Sequence, residues 1–193
     1  LQYLVNDRNF TPDDVMVGKL LKDKATGPIV IFDDDRFYMG SIVAEVAINT
    51  GRKVVFVTST PNVAAWSENT LEQERIQGRL INIGVEIITS HELFDQQDDF
   101  LQIMCSYSGN IREIHCDTLI LVTSRLPNDF LWKELLAKKQ DWSDAGVNTV
   151  TRIGDCLQPG LIAMAVQSGH NYVREIIDNK SNVFSREDQN FAR

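Results

Sequence analysis

Asp33, Asp34 and Asp35 stand together directly after the apolar run Ile29-Val30-Ile31-Phe32, and a helix-forming run follows from Ser41 to Asn49. In a parallel α/β sheet a strand-to-helix turn at this place is where nucleotide phosphates bind, because backbone N–H groups and the helix N-terminus face the ligand. A dinucleotide-binding turn reads G-x-G-x-x-G, since only glycine lets the backbone close on a pyrophosphate. Here the glycine positions are Asp33, Asp35 and Met39 or its neighbour Gly40. Three carboxylates repel a pyrophosphate. The acidic residue that would hold a ribose hydroxyl after the next strand is also missing, and Thr58-Ser59 stands there. The turn is therefore expected to bind no NAD(H) in the ordinary way. Two roles stay open for the carboxylates: caps of a helix over 36–49, or solvated surface.

Ligands in such sheets sit beyond the carboxyl ends of the strands. Four segments should reach that edge: Asp33 to Gly40, Thr58 to Pro61, Ser124 to Pro127, and Gly154 to Gly160. In the last, Ile153-Gly154-Asp155 ends an expected strand, and Pro159-Gly160 leads into a helix beginning at Leu161 and rich in small residues. The junction resembles that of flavoprotein reductases, which implies a Gly-Asp hydrogen-bonded to the ribityl or phosphate region of the cofactor, with the dipole of the helix behind it. Gly154, Asp155 and Leu161 are the candidate cofactor-binding residues; the plain alternative is that Asp155 caps the helix. No catalytic residue and no metal ligand is assigned. His91, His115 and His170 are isolated from partners at metal or triad spacing, and Cys105, Cys116 and Cys156 form no C-x-x-C. Cys156 is read as a buried small residue.

A hydrophobic strand followed by Asp-x-Asp also resembles the opening of haloacid dehalogenase-like, Mg-dependent phosphatases, with Asp33 as nucleophile and Asp35 as acid–base. Thr58 or Ser59 and Gly154-Asp155 would answer to later motifs of that superfamily. Phe37 stands where a Thr or Val is usual, and the second metal-binding acid would fall at Pro159. This is the alternative reading.

The elements that position these residues follow from period and punctuation. Thr11-Pro12-Asp13-Asp14 starts a helix expected to run to about Lys24, ended by Thr26-Gly27-Pro28. The strand Ile29–Phe32, the helix 41–49 closed by Gly51, and the strand 53–58 make a β-α-β unit. A helix is expected over 68–83, with Leu71, Ile76, Leu80 and Ile83 on one face, then a strand over 85–89. Leu101–Cys105 and Ile111–Ile114 flank Ser108-Gly109-Asn110 as a hairpin, and Thr118–Val122 is another buried strand. A helix from Pro127-Asn128-Asp129 to about Lys139, a strand over 147–153, and a helix over 161–178 complete the series. The tail 179–193 is read as polar and frayed. Phe37 and Tyr38 are read as core aromatics over the helix start, and Trp66 as packing under a loop. The fold class is α/β: a three-layer, Rossmann-like parallel sheet with a β-hairpin or meander excursion.

The 193 residues carry 19 basic and 27 acidic side chains, a net charge of −8. No basic stripe is present, which argues against nucleic acid and anionic membranes as partners. The sequence shows no signal peptide and no apolar run of the ~20 residues a membrane span needs. Unpaired thiols fit a reducing cytoplasm. The chain begins Leu-Gln-Tyr and is read as a portion of something longer.

The runs Val30 to Gly40, Trp66 to Gln73 with Arg75-Ile76-Gln77, and Arg152 to Cys156 together carry a resemblance that covers nearly the whole chain. It resembles the C-terminal region of the trimethylamine dehydrogenase-like branch of the NADH:flavin oxidoreductase (old yellow enzyme) family. The resemblance implies a long parent polypeptide. Its N-terminal barrel would carry FMN and the substrate site, cysteines beside the barrel would hold [4Fe-4S], and its C-terminal region would fold like an FAD/NAD(P)-binding disulfide reductase. On this reading 1–26 is an N-terminal segment of the FAD-domain-like part, 27–125 the NAD(P)H-binding-like domain, and 126–193 the C-terminal part of the FAD-domain-like region. The parent would oxidise a small amine or reduce an activated alkene. This portion would be structural, with at most residual ADP or FAD binding. Expected partners are the parent's barrel, an electron-transfer flavoprotein and a second copy of the enzyme.

Overall fold

Ile29–Asp33 and Val54–Thr58 are buried at every residue, as strands covered on both faces must be. In the computed structural model, which describes residues 8–178, they are β2 and β3 of a five-stranded sheet. β1 (Asn9–Phe10), β4 (Glu86–Ile88) and β8 (Thr118–Val122) complete it in the order β1-β8-β2-β3-β4, all parallel. The described residues fall into two compact units divided between Ser124 and Arg125. β1 and α1 (Pro12–Met16) lie in the first unit.

Three layers follow from how the strands alternate. Ile29, Ile31, Val54, Phe56, Ile120 and Val122 point to one face and pack with Val43, Ala44 and Ala47 of α2 (Met39–Ile48) and Leu80 of α3 (Gln73–Asn82). Val30, Phe32, Val55, Val57 and Leu119 point to the other, where Leu101, Ile103 and Cys116 cover them. That cover is an antiparallel meander of β5 (His91–Gln97), β6 (Phe100–Cys105) and β7 (Ile111–His115), bulged between Leu93 and Asp95. Burial pushes the Cys116 thiol up to about 12, so it behaves as a small apolar residue.

Three helix expectations change. The first helix stops at Met16 because Gly18 takes φ +77, and Leu20–Lys22 continues as a 3-10 turn. The expected 68–83 helix is a 3-10 segment, Ala65–Thr70, followed by α3. Leu71 joins them in the left-handed region (φ 59), 93% exposed, so it is not part of an apolar face. The α2 helix starts at Met39, without a side-chain cap. The expected Thr11 cap is present as a reciprocal capping box with Asp14, whose carboxyl is held at about 2 by the Lys19 ammonium and the Thr11 bonds.

The second unit contains α4 (Phe130–Ala137), a 3-10 turn at Gly154–Cys156 and α5 (Ile162–Asp178). The strand expected over 147–153 is absent: no described residue pairs with it, and a strand without a neighbour has nothing to hold it. The segment is fastened by side chains instead. Arg152 donates to Asp129 (2.7 Å) and lies 3.9 Å from the centre of the Trp132 ring, while Lys133 pairs with the same Asp129 (2.9 Å). Residues 179–193, read from the sequence as a frayed tail, lie outside the described residues.

Gly27 joins the start of β2 to the start of β8. Its N–H donates to Asp117 Oδ2 at 2.7 Å, and a Cβ added there would fall 2.1 Å from that oxygen. Gly27→Ala must expel Asp117, and we expect a loss of about 2 kcal/mol, read as a fall in Tm. Gly78→Ala, where an added Cβ meets nothing within 4 Å, is the control and should leave Tm level or slightly raised.

Candidate functional site

Asp33, Thr58 and Val122 are the last residues of β2, β3 and β8 and stand in register across the carboxyl edge of the sheet. The acidic turn leaves the sheet between β8 and β2, the strands where the order reverses and where a dinucleotide would enter a Rossmann sheet. The backbone closes that place. The N–H groups of Asp34 and Asp35 both donate to Val122 O (2.9 and 3.2 Å), and the N–H of Arg36 donates to Asp33 Oδ1 (3.3 Å). The donors a phosphate would need are engaged within the protein.

The Asp33 carboxyl itself is neither a helix cap nor solvated, which corrects both roles left open for it. It is fully buried, with Oδ2 finding no protein donor. It is turned under the first turn of α2. A Cβ at Gly40 would stand 2.9 Å from Asp33 Cγ and 3.0 Å from Phe56 Cζ, so position 40 admits only glycine. Burial raises Asp33 to about 7, Asp35 and Asp34 add to that, and the N–H groups of Arg36 and Asp35 oppose it. The carboxyl that the phosphatase alternative reads as its nucleophile is thus enclosed, with no exposed surface in this conformation.

Of the other acids of the turn, Asp34 is exposed and Asp35 is half-buried. Asp34 takes the Arg36 guanidinium (3.1 Å) and the Ser59 hydroxyl (3.2 Å). Thr58 is buried and shares a 3.0 Å bond with Thr60, whose hydroxyl is 2.7 Å from Asn62 O. Neither Thr58 nor Ser59 replaces the missing ribose acid. Phe37 stacks on Trp66 with ring centroids 5.5 Å apart, and the Trp66 backbone N–H donates to Arg36 O (3.0 Å). Tyr38, read as a core aromatic, is half exposed. Nothing in the sequence pattern marks Gly40, Phe56 and Val122 as the seat of Asp33; a glycine seven residues past it is the one available sign.

Gly154, Asp155 and Leu161 lie together in the second unit. Gly154 has φ +61, which favours glycine at the turn, while a Cβ there would meet Ala165 Cβ of α5 at an ordinary contact distance of 3.6 Å. Its N–H donates to Ser168 Oγ (3.0 Å). Asp155 is exposed and accepts from the Gly160 N–H (3.4 Å), and it does not cap α5. Leu161 O receives the first helical bonds from Met164 and Ala165. Cys156, read as buried, is exposed and donates from Sγ to Ile153 O. Among the described residues no group of three or more His, Cys, Asp or Glu could hold a metal ion, and no helix is long and apolar enough to cross a membrane.

No protein-family profile matches the chain. It is 32% identical over 187 residues to dimethylamine dehydrogenase of Hyphomicrobium sp. (strain x), covering 87% of this chain and 25% of that protein. Histamine dehydrogenase from Rhizobium sp. 4-9 superposes with a TM-score of 0.82 at 36% identity, covering 95% of this chain and 29% of its own. The 6-hydroxypseudooxynicotine amine oxidase of Pseudomonas geniculata N1 gives 0.74 at 31%, over 84% of this chain and 24% of its own. A flavoprotein disulfide reductase of Escherichia coli, at 16% identity and a TM-score of 0.52, shares the fold alone. The chain thus spans about a quarter of the length of the curated relative it matches. These likenesses identify it as a trimethylamine dehydrogenase-like C-terminal region.

Proposed function

We propose that the chain is the nucleotide-fold portion of a flavin-dependent amine dehydrogenase in which the NAD(P)H-binding-like domain, 27–125, no longer takes a dinucleotide. The observation that carries this is the closed turn: Val122 O and Asp33 Oδ1 already occupy the N–H groups of Asp34, Asp35 and Arg36. The parent polypeptide would hold FMN and [4Fe-4S] in its other parts, and those groups would move the electrons drawn from a small amine. This portion contributes structure and contact surface, including toward an electron-transfer flavoprotein or a second enzyme copy.

The second unit supports a structural role beside a larger body. From 125 to 176 no residue is buried, and Leu126, Phe130, Leu131, Ile162, Val166, Val173 and Ile176 are all more than half exposed. A unit with that surface obtains its core from the rest of a longer chain. Gly154, Asp155 and Leu161 fit a residual ADP or FAD contact: Asp155 offers an exposed carboxylate to a ribose or ribityl hydroxyl beside the Gly154 turn. In titrations followed by calorimetry, NADH and NADPH should produce no binding heat. ADP should bind weakly, and Asp155→Ala should abolish that response. A saturable NADH isotherm would overturn the proposal for 27–125, and an ADP response indifferent to Asp155→Ala would overturn the residual site.

A further inference from the structure

The turn 33–38 combines three unfavourable features at one place. Arg36 is held in the left-handed region at φ 68, its Nε is buried without a protein acceptor, and Asp33 Oδ2 is buried without a donor. Strain of this kind persists only where the surroundings enforce it. The turn is held by the 3.3 Å bond from the Arg36 N–H to Asp33 Oδ1, two N–H bonds to Val122 O, the Trp66 N–H on Arg36 O, the Arg36–Asp34 pair, the Ser59 hydroxyl on Asp34 and the Phe37–Trp66 stack.

We propose that Asp33 is a proton-operated latch on this turn: as a neutral acid it holds 33–38 closed against Gly40 and Phe56, and on losing its proton it leaves that seat and opens the turn. The charged groups that face Asp33 come from its own turn. Asp34 and Asp35 oppose its ionisation, and the Arg36 guanidinium is paired with Asp34. From α2, β3 and β8 its neighbours are Gly40, Phe56, Thr58 and Val122, none of which titrates. An ionised Asp33 thus accepts only a long 3.3 Å bond from the Arg36 N–H and a weaker contribution from the Asp35 N–H, with two like charges beside it and Oδ2 left without a donor. Its rise to about 7 places the transition near neutral pH. Opening would release the Arg36 N–H, part the Phe37–Trp66 stack, and expose the strand edge that the closed turn covers.

The test is amide exchange of the full chain by NMR between pH 6 and 8.5, corrected for the intrinsic pH dependence of exchange. Protection at the Arg36 amide should fall about tenfold across this range, as a carboxyl with a closed-state value near 7 and an open-state value near 4 requires. Protection of the β3 amides should not follow it, and Asp33→Asn should give a flat profile at Arg36. Parallel profiles for the two proteins would overturn the latch. A titration of the Asp33 side-chain carbon signal in the unaltered chain is independent of any variant: a midpoint near 7 supports the proposal, and one below 5 overturns it.

Discussion

Asp33→Asn should make the chain more stable at alkaline pH and remove a pH dependence that the unaltered protein shows. Because Asp33 is raised to about 7 in the folded chain, against 3.8 for an ordinary aspartate, its contribution is fully favourable below 3.8 and is lost as pH rises through 7. A tenfold change in proton affinity between the folded and unfolded chain is worth about 1.36 kcal/mol, so the unaltered chain should lose about 2 kcal/mol between pH 5.5 and 8.5 that the variant keeps. At pH 5.5 the neutral acid and the amide are nearly equivalent in shape and charge, and the two proteins should melt close together. At pH 8.5 the variant should melt about 5 °C higher, less whatever the buried amide nitrogen costs for want of an acceptor. Chemical denaturation at the two pH values measures this directly. A difference in stability between the two proteins that stays constant with pH would show that Asp33 is ionised throughout.

This effect is hidden in the sequence for a definable reason. The apolar runs 29–32, 54–57 and 118–122 have no alternation, and that alone marks strands covered on both sides; all three are buried strands of one parallel sheet. The hairpin around Ser108-Gly109-Asn110 is equally readable, as β6 and β7. By contrast β5 escapes a reading by pattern, because His91-Glu-Leu-Phe-Asp-Gln-Gln is mostly polar and faces solvent on its outer side. The strand expected over 147–153 shows the opposite failure: a β-rich run makes a strand only if a neighbour is there to pair with it. The acidic turn is legible as unfit for a dinucleotide, yet its carboxylates look alike in sequence. Only the three-dimensional packing of Gly40 and Phe56 turns one of them inward and leaves Asp34 on Arg36. The trimethylamine dehydrogenase-like likeness is legible from residue runs, whereas the role proposed for Gly154, Asp155 and Leu161 rests on their proximity in one loop.

Arg52→Ala should be the most damaging single change at the opposite end of the sheet. Its side chain is only 9% exposed and links three segments that start strands or lead into them. Nε donates to Gly27 O (2.7 Å) before β2, Nη1 to Asp23 Oδ2 (3.0 Å), and Nη2 to Thr118 Oγ1 (2.7 Å) at the head of β8. Thr118 in turn donates to Asp23 (2.9 Å). Burial would lift the Asp23 carboxyl, but the Ala25 N–H, Thr118 and Arg52 together hold it below the usual range. That contribution is present above about pH 4 and is lost as pH falls through the lowered value. Removing Arg52 leaves Asp23 enclosed with a hydroxyl and an amide but no counter-charge, and the expected loss is about 3 kcal/mol. Arg52→Lys should recover less than half, because an ammonium cannot reach all three acceptors as the planar guanidinium does. The double variant with Asp23→Ala should lose clearly less than the sum of the single losses; strict additivity would mean that the two side chains do not act together. Since Arg52 fastens the strands at their amino ends and Asp33 lies at the carboxyl edge, Arg52→Ala should leave the pH dependence contributed by Asp33 in place. The two variants therefore separate what holds this domain together from what governs its turn.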